Sequence, residues 1–272
     1  MTEASTGYSR PWVAVAFLCL AVVILGIDDT VLNLVLPPIS REFLASTSDL
    51  QWMINAYLLA FVALLLTMGA LGDRFGRKRL FQMGLVMFGF SSLAAALSTS
   101  MEMLIACRAL MGVAGSMVLP QTLSIIRAMF TDPKKRTQAI GIWAGVFALG
   151  YGIGPVIGGV LLDHFEWNSV FYINIPVAVI ALAGAYFFVP ESCDRTGPRL
   201  DPVGVVLSIA GLSPMVYGII KVGEEGWTSG TVVVPLCVGA ALLVVFAWWE
   251  KRSDHPMLPM RFFKNMSFTG AN

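Results

Sequence analysis

Charge is scarce in this chain: Asp, Glu, Lys and Arg make up 13% of its 272 residues. A soluble domain carries about 25%, so an ordinary water-facing globule is excluded. Only two histidines are present, His164 and His255, and they are isolated. The four cysteines, Cys19, Cys107, Cys193 and Cys237, have neither metal-binding nor redox spacing. Three of them fall in apolar runs and Cys193 on the cytoplasmic side, so a disulfide framework is not expected. There is no nucleophile–base motif, no phosphate-binding P-loop and no metal cluster. An enzyme is therefore not expected, and neither is a metal or other cofactor. Without a nucleotide site, any uphill movement has to draw on an ion gradient.

Apolar residues fill the space that charge leaves, at 57% of the chain with a mean hydropathy of +0.76. A helix needs about 20 apolar residues to cross the hydrocarbon core. Eight such runs occur, at roughly 12–36, 50–70, 80–98, 102–125, 138–162, 168–189, 203–222 and 231–249. They are too long and too lightly charged for barrel strands. The expectation is an all-α, multi-pass membrane protein. The first run exceeds a usual signal-peptide h-region and is needed to set topology, so it reads as uncleaved.

Basic residues orient the spans. With the N-terminus inside, Arg10; Arg74, Arg77, Lys78, Arg79; Arg127, Lys134, Lys135, Arg136; Arg195, Arg199; and Lys251, Arg252, Arg261, Lys264 are cytoplasmic, fifteen of the eighteen. Arg41 and Lys221 fall outside, and Arg108 lies within a span. The asymmetry fits the positive-inside rule and places both termini in the cytoplasm. The net charge of +1 offers nothing to nucleic acid. The sequon Asn265-Met266-Ser267 is then cytoplasmic and reads as chance.

Span five holds Gly141, Gly150, Gly154, Pro155, Gly158 and Gly159. Positions 150, 154 and 158 lie on one helix face, where another backbone can approach closely. Pro155 removes an N–H and crowds the carbonyl of Tyr151. The ridge serves either ordinary tight packing or a helix that bends as a bundle rocks. An internal echo points to architecture: "GALGDRF" at 69–75 and "GVLLDHF" at 159–165 share Gly, Leu, Asp and Phe at an offset of ninety residues. Three spans followed by three related spans of opposite orientation form an inverted repeat. A weaker echo, "VLP", recurs at 35–37 and 118–120.

In the loop after span two, Gly69, Gly72 and Gly76 permit a tight helix-to-helix turn. Asp73 can accept from helix N-terminal amides or pair with a basic side chain, latching two helices. Arg77, Lys78 and Arg79 mark the cytoplasmic face and meet anionic lipid. Charges inside the membrane carry the sharper reading. Asp28 and Asp29 lie deep in span one, followed by Thr30 and Asn33, and Arg108 lies near the start of span four. A charge at that depth costs a few kcal/mol or more and faces a cavity or a partner. The two acids are about 100° apart on a helix, so they point differently; Asp29 and Asn33 share a face. Arg108 shares one with Gly112, Gly115 and Ser116, where a neighbouring helix can come close.

Together these segments resemble the N-terminal part of a major facilitator superfamily transporter, of the fourteen-span drug:proton antiporter branch. Gly69-x-Leu71-x-Asp73-Arg74-x-Gly76-Arg77-Lys78 resembles the superfamily's signature loop. Gly141-x8-Gly150-x3-Gly154-Pro155-x2-Gly158-Gly159 resembles the fifth-span motif of exporters. "LGIDDTVLNLVLP" resembles the first-span motif, with Asp28 on the family acid and Asp29 an addition. Gln51-Trp52 with Ala56-Tyr57-Leu58-Leu59 resembles the second-span pattern. Trp167 with Phe171, Asn174 and Pro176 resembles the approach to the sixth span. Two departures stand out: Met111 replaces a usual Gln beside Arg108, and Asn168-Ser169 replaces a typical Arg-Trp.

The resemblance implies a cytoplasmic N-terminus (1–11), a six-helix N-terminal bundle with a 3+3 inverted repeat (12–189) and a cytoplasmic linker (190–202). Two additional transmembrane helices follow (203–249), then a cytoplasmic segment (250–272) leading to a C-terminal bundle that this stretch lacks. It implies proton-coupled export of lipophilic, cationic drugs or dyes across the cytoplasmic membrane. Asp28, with Asp29 as alternative or helper, would bind proton or cation; Asn33 and Arg108 would complete the proton- and substrate-binding group, Arg108 shaping the polar cavity and the acid's pKa. Gly69, Asp73, Arg74, Gly76, Arg77 and Lys78 would gate the cytoplasmic side. Gly141, Gly150, Gly154, Pro155, Gly158 and Gly159 would pack and bend span five. Rival readings are export of an endogenous lipid, siderophore or metabolite, a nutrient importer, and a non-transporting fragment or assembly partner.

Overall fold

The computed structural model describes residues 10–193 and 201–252. The expectations placed on both termini, on Arg195 and Arg199 and on the sequon lie outside the described residues. The chain runs α1 (Pro11–Phe43), α2 (Thr47–Phe75), α3 (Arg77–Ala96), α4 (Met101–Met129) and α5 (Pro133–His164). A single turn α6 (Ser169–Tyr172) leads into α7 (Asn174–Phe188), followed by α8 (Pro202–Glu225) and α9 (Gly230–Arg252). With α6 and α7 taken as one, eight helices among the described residues are long and apolar enough to cross a bilayer.

Their starts are written locally. Ser46 and Asp49 form a reciprocal capping box at α2. Ser100, Asp132 and Asp201 accept from first-turn amides of α4, α5 and α8. Helix α1 continues past the expected end at 36, through Pro37 and Pro38. The extension is held from outside: the Trp167 indole N–H donates to Glu42, and the Trp167 ring meets Phe43 edge-on at 5.7 Å.

The inverted repeat is visible in the element boundaries. Helices α1 and α4 begin ninety residues apart, at Pro11 and Met101, and α2 and α5 end almost in step, at Phe75 and His164. Packing follows the same symmetry. Helix α1 lies along α5 as α4 lies along α2, and α1 meets α7 as α4 meets α3. The six-span bundle closes around Phe81, Phe88, Leu104, Met111 and Phe171, all fully buried. Helices α8 and α9 form a hairpin joined through small residues: a Cβ on Gly239 would lie 2.8 Å from the Gly211 carbonyl oxygen. The hairpin rests on α2, with Trp52 and Tyr217 ring centres 5.6 Å apart.

Candidate functional site

The largest fully buried side chain is a charged one, Arg108. Its Nη1 donates to Asp28 Oδ2 at 2.6 Å, with the two side chains 0% and 2% exposed. Nε donates to the Met53 carbonyl at 3.4 Å, and the guanidinium carbon stands 4.4 Å from the centre of the Tyr57 ring. The sequence around Arg108 makes this possible. A Cβ on Gly112 would collide with the Tyr57 carbonyl, and one on Gly115 would sit 3.1 Å from the Tyr57 hydroxyl. Bare positions on α4 thus let α2 press Tyr57 onto the cation. Met111, where a Gln is usual, offers only its sulfur, 3.9 Å from Nη1, and Nη2 has no hydrogen-bond partner among the described residues.

The other Asp28 oxygen is held from the far side of the bundle. Asn174 Nδ2 donates to Oδ1 at 2.9 Å and to Ser92 Oγ at 3.0 Å. The Ser92 hydroxyl donates in turn to the Phe171 carbonyl at 2.8 Å. One carboxylate therefore ties α1 to α4 and, through Asn174 and Ser92, to α7, α3 and α6. Removing one member of such a buried pair strands the other, at a cost of about 3–5 kcal/mol.

Asp29, one residue on, has a different environment. It lines a cavity of about 230 Å³ together with Tyr57, Phe61, Phe147 and Tyr151. The Tyr151 hydroxyl interacts with its carboxylate. Tyr57 and Phe61 stack at 5.8 Å, and Phe147 and Tyr151 meet edge-on at 5.2 Å. An acid whose cavity is lined by four aromatic side chains makes a surrounding that favours positive charge. The sequence left open which acid faces the cavity; in the structure Asp28 is engaged with Arg108 and Asn174, and Asp29 lines the space. Asn33 is exposed and does not join either group; it stands one turn beyond Asp29 and outside the cavity lining.

The glycine ridge divides. A Cβ on Gly150 would lie 2.9 Å from the Val23 carbonyl oxygen, one on Gly154 would strike the Thr30 hydroxyl, and one on Gly158 would sit 3.0 Å from Val31 and Leu34. Gly26 of α1 answers from the other side, where a Cβ would come within 3.2 Å of the Tyr151 nitrogen. Gly141 and Gly159 do not pack as expected: nothing lies within 4 Å of a Cβ on either. They sit off the face that meets α1. Pro155 is exposed, and α5 runs through it as one helix; its ring points away from the α1 contact.

The signature loop also departs from expectation. Gly69 and Gly72 lie inside α2 and face α4 rather than forming a turn. A Cβ on Gly72 would overlap the Gln121 amide, whose Nε2 donates to the Met68 carbonyl at 2.7 Å. Gly76 alone makes the turn, at φ +118°. Asp73 accepts from Arg77 Nε at 2.7 Å, while Arg74 reaches over Phe75, 5.7 Å from its ring centre. The free amides of α3 are met by the segment after α7: Arg77 N donates to Ser192 O at 3.0 Å and Lys78 N to Glu191 Oε1 at 3.1 Å. A Cβ on Gly76 would come 2.9 Å from that same Oε1. Gly76→Ala is therefore expected to cost about 1–2 kcal/mol, from the left-handed backbone alone, and to push Glu191 off α3. A lowered thermal midpoint that Glu191→Ala does not lower further would bear this out.

Sequence reasoning noted Tyr57 and Asn174 only as parts of patterns and missed Ser92, Gln121, Gly26 and Glu191. A usable signal existed for three of these: Ser92, Gln121 and Asn174 are polar residues inside apolar spans, where each needs a partner.

Comparison with known proteins agrees with this architecture. Residues 18–267 match the sequence profile of the Major Facilitator Superfamily. The chain is 41% identical over 263 residues to the multidrug efflux pump LfrA of Mycolicibacterium smegmatis, covering 97% of this chain and 52% of that protein. It is 38% identical to the methyl viologen resistance protein SmvA of Salmonella typhimurium, covering 93% and 51%. It is 34% identical to the tetracenomycin C resistance and export protein of Streptomyces glaucescens, covering 99% and 50%. The chain thus spans about half the length of these relatives. Among solved structures, the human organic anion transporter MFSD10 superposes with a TM-score of 0.55 at 17% identity, covering 83% of this chain and 59% of that one. A bacterial homologue of the human lysosomal transporter Spinster, inward-facing and occupied, gives 0.54 at 21%, covering 91% and 61%. With eight spans among its described residues and an inverted repeat of three and three helices, the chain belongs to the Major Facilitator Superfamily.

Proposed function

We propose that this chain supplies the N-terminal bundle and linker hairpin of a proton-coupled exporter of lipophilic cations, working with a second six-helix bundle. One observation carries the reading: Tyr57 adjoins both places, its ring against Arg108 and its side chain among those lining the Asp29 cavity. A proton taken up by Asp28 cancels half of the buried pair, and Arg108 must then find other acceptors. Tyr57 moves with the guanidinium, and the cation site beside Asp29 changes shape. Proton and cation thereby compete through one ring, the condition for exchange. The names of the relatives, which concern multidrug efflux, methyl viologen resistance and tetracenomycin C resistance and export, support the substrate class. The basic residues on α2, α3, α4 and α5 support a cytoplasmic placement for the Gly76 turn and both termini, and so a direction outward across the cytoplasmic membrane.

The test is uptake of a fluorescent lipophilic cation by everted vesicles carrying the full-length protein. Uptake should follow an imposed pH gradient and collapse with a protonophore. Uptake that ignores the protonophore would overturn proton coupling. Asp29→Asn should raise the KM for the cation about tenfold, the equivalent of 1.4 kcal/mol, while a neutral lipophile is scarcely affected. Equal effects on both substrates would remove Asp29 from cation recognition.

A further inference from the structure

The bundle has a second hollow that the transport reading leaves unused. Between α3 and α7 runs a cleft of about 880 Å³, lined by Met83, Val86, Met87, Met117, Val179 and Phe187. A narrower stretch of about 170 Å³ continues it, sharing Val86, Val179 and Leu182 and reaching Leu93 and Ile175. Arg79 and Gln82 stand at the mouth of the wider part. Residues 79, 83, 86, 90 and 93 fall on one face of α3, so the two parts form one groove. At 1.5 Å per residue it extends about 21 Å, enough to cross one leaflet of a hydrocarbon core about 30 Å thick. Met117 and Leu119 are about 200° apart on α4; the first lines this groove and the second the Asp29 cavity. The two hollows thus lie on opposite faces of that helix.

We propose that this groove is a binding site for one anionic phospholipid, its phosphate at Arg79 and one acyl chain along the α3–α7 cleft. The chemistry at its two ends selects this occupant. The mouth is cationic: the Arg79 side chain is 76% exposed, and Lys78 lies 5.6 Å from the centre of the Tyr186 ring at the groove edge. The acid facing Arg79 is Glu191, at 3.6 Å. An exposed pair of that length holds weakly, and a phosphate displaces it, because a guanidinium binds phosphate through two parallel hydrogen bonds. Beyond the mouth the walls are Met, Val, Leu and Phe, with Met83, Val86, Val179 and Phe187 all exposed. A lipophilic cation is repelled at the rim, and a purely apolar helix would leave Arg79 and Gln82 unanswered. A phospholipid answers both ends at once.

The experiment is native mass spectrometry of the full-length protein, delipidated in detergent and titrated with dioleoylphosphatidylglycerol or dioleoylphosphatidylcholine. The wild type should retain one phosphatidylglycerol per chain at tenfold lower lipid concentration than phosphatidylcholine. Arg79→Gln should abolish that preference, and Val86→Trp, which fills the cleft while keeping Arg79, should abolish retention of either lipid. Both variants should elute as folded monodisperse protein, since both positions are exposed. Equal retention of the two lipids by the wild type, or an unchanged preference in Arg79→Gln, would overturn the proposal. A dimer that Val86→Trp dissociates would overturn it too, by assigning the groove to a second copy.

Discussion

Replacing Arg108 by methionine is expected to remove most of the folded protein from the membrane, and replacing Asp28 together with it to bring the protein back without transport. The reasoning starts from desolvation. Asp28 and Arg108 are held out of solvent at 2.6 Å, and each neutralises a charge that the hydrocarbon would otherwise penalise by a few kcal/mol. Methionine fills much the same volume but leaves the carboxylate with only the Asn174 amide. The loss should approach the 3–5 kcal/mol typical of a broken buried pair. In Asp28→Asn/Arg108→Met both charges are gone, so thermal stability in detergent should return most of the way. Efflux should stay at the level of vesicles lacking the protein, because no proton site remains. Asp28→Asn alone keeps a carbonyl oxygen that can accept from Arg108 Nη1, so it should lose less stability than Arg108→Met and also fail to transport. Efflux retained by Asp28→Asn would end the assignment of the proton site. An Arg108→Met protein as stable as wild type would show that the pair contributes little to the fold.

That experiment rests on a contact no stretch of sequence displays. The eight spans were legible because twenty apolar residues in a row have few other uses, and the repeat was legible because two seven-residue segments sit ninety apart. The ridge at Gly150, Gly154 and Gly158 was legible from its period. Its partner was not: the period names a face, and only packing names Val23, Thr30 and Val31 as what meets it. The same limit explains Gly141 and Gly159, which satisfy the motif yet meet nothing within 4 Å. Asp28 and Asn174 are 146 residues apart, and the helix that turns Asp28 inward turns Asp29 toward the cavity. Rotation of α1 is set by Gly26 and the α5 glycines together, so the two acids could not be told apart before both helices were placed.

Close approach also sets the second large effect, at Gly112. A methyl there would fall on the Tyr57 carbonyl, and a backbone atom cannot rotate away as a side chain does. Gly112→Ala gains about 1 kcal/mol of helix propensity, but overpacking costs about 1–3 kcal/mol, at the upper end when the obstacle is main chain. Helix α2 must retreat, and Tyr57 leaves the Arg108 guanidinium with it, so stability and efflux should fall together; Gly112→Val should yield no folded protein. Gly154→Ala meets the Thr30 hydroxyl instead, which donates to the Gly26 carbonyl at 3.0 Å. It should be milder, and Thr30→Ala should rescue it in part, with no such rescue available at 112. Gly159→Ala, with open space around it, should leave stability unchanged or slightly raised. Thermal midpoints in detergent therefore order as Gly159→Ala, Gly154→Ala, Gly112→Ala from highest to lowest. A Gly112→Ala protein that matches Gly159→Ala would mean that α2 and α4 slide apart freely, and that Tyr57 is not pressed onto Arg108 by their contact.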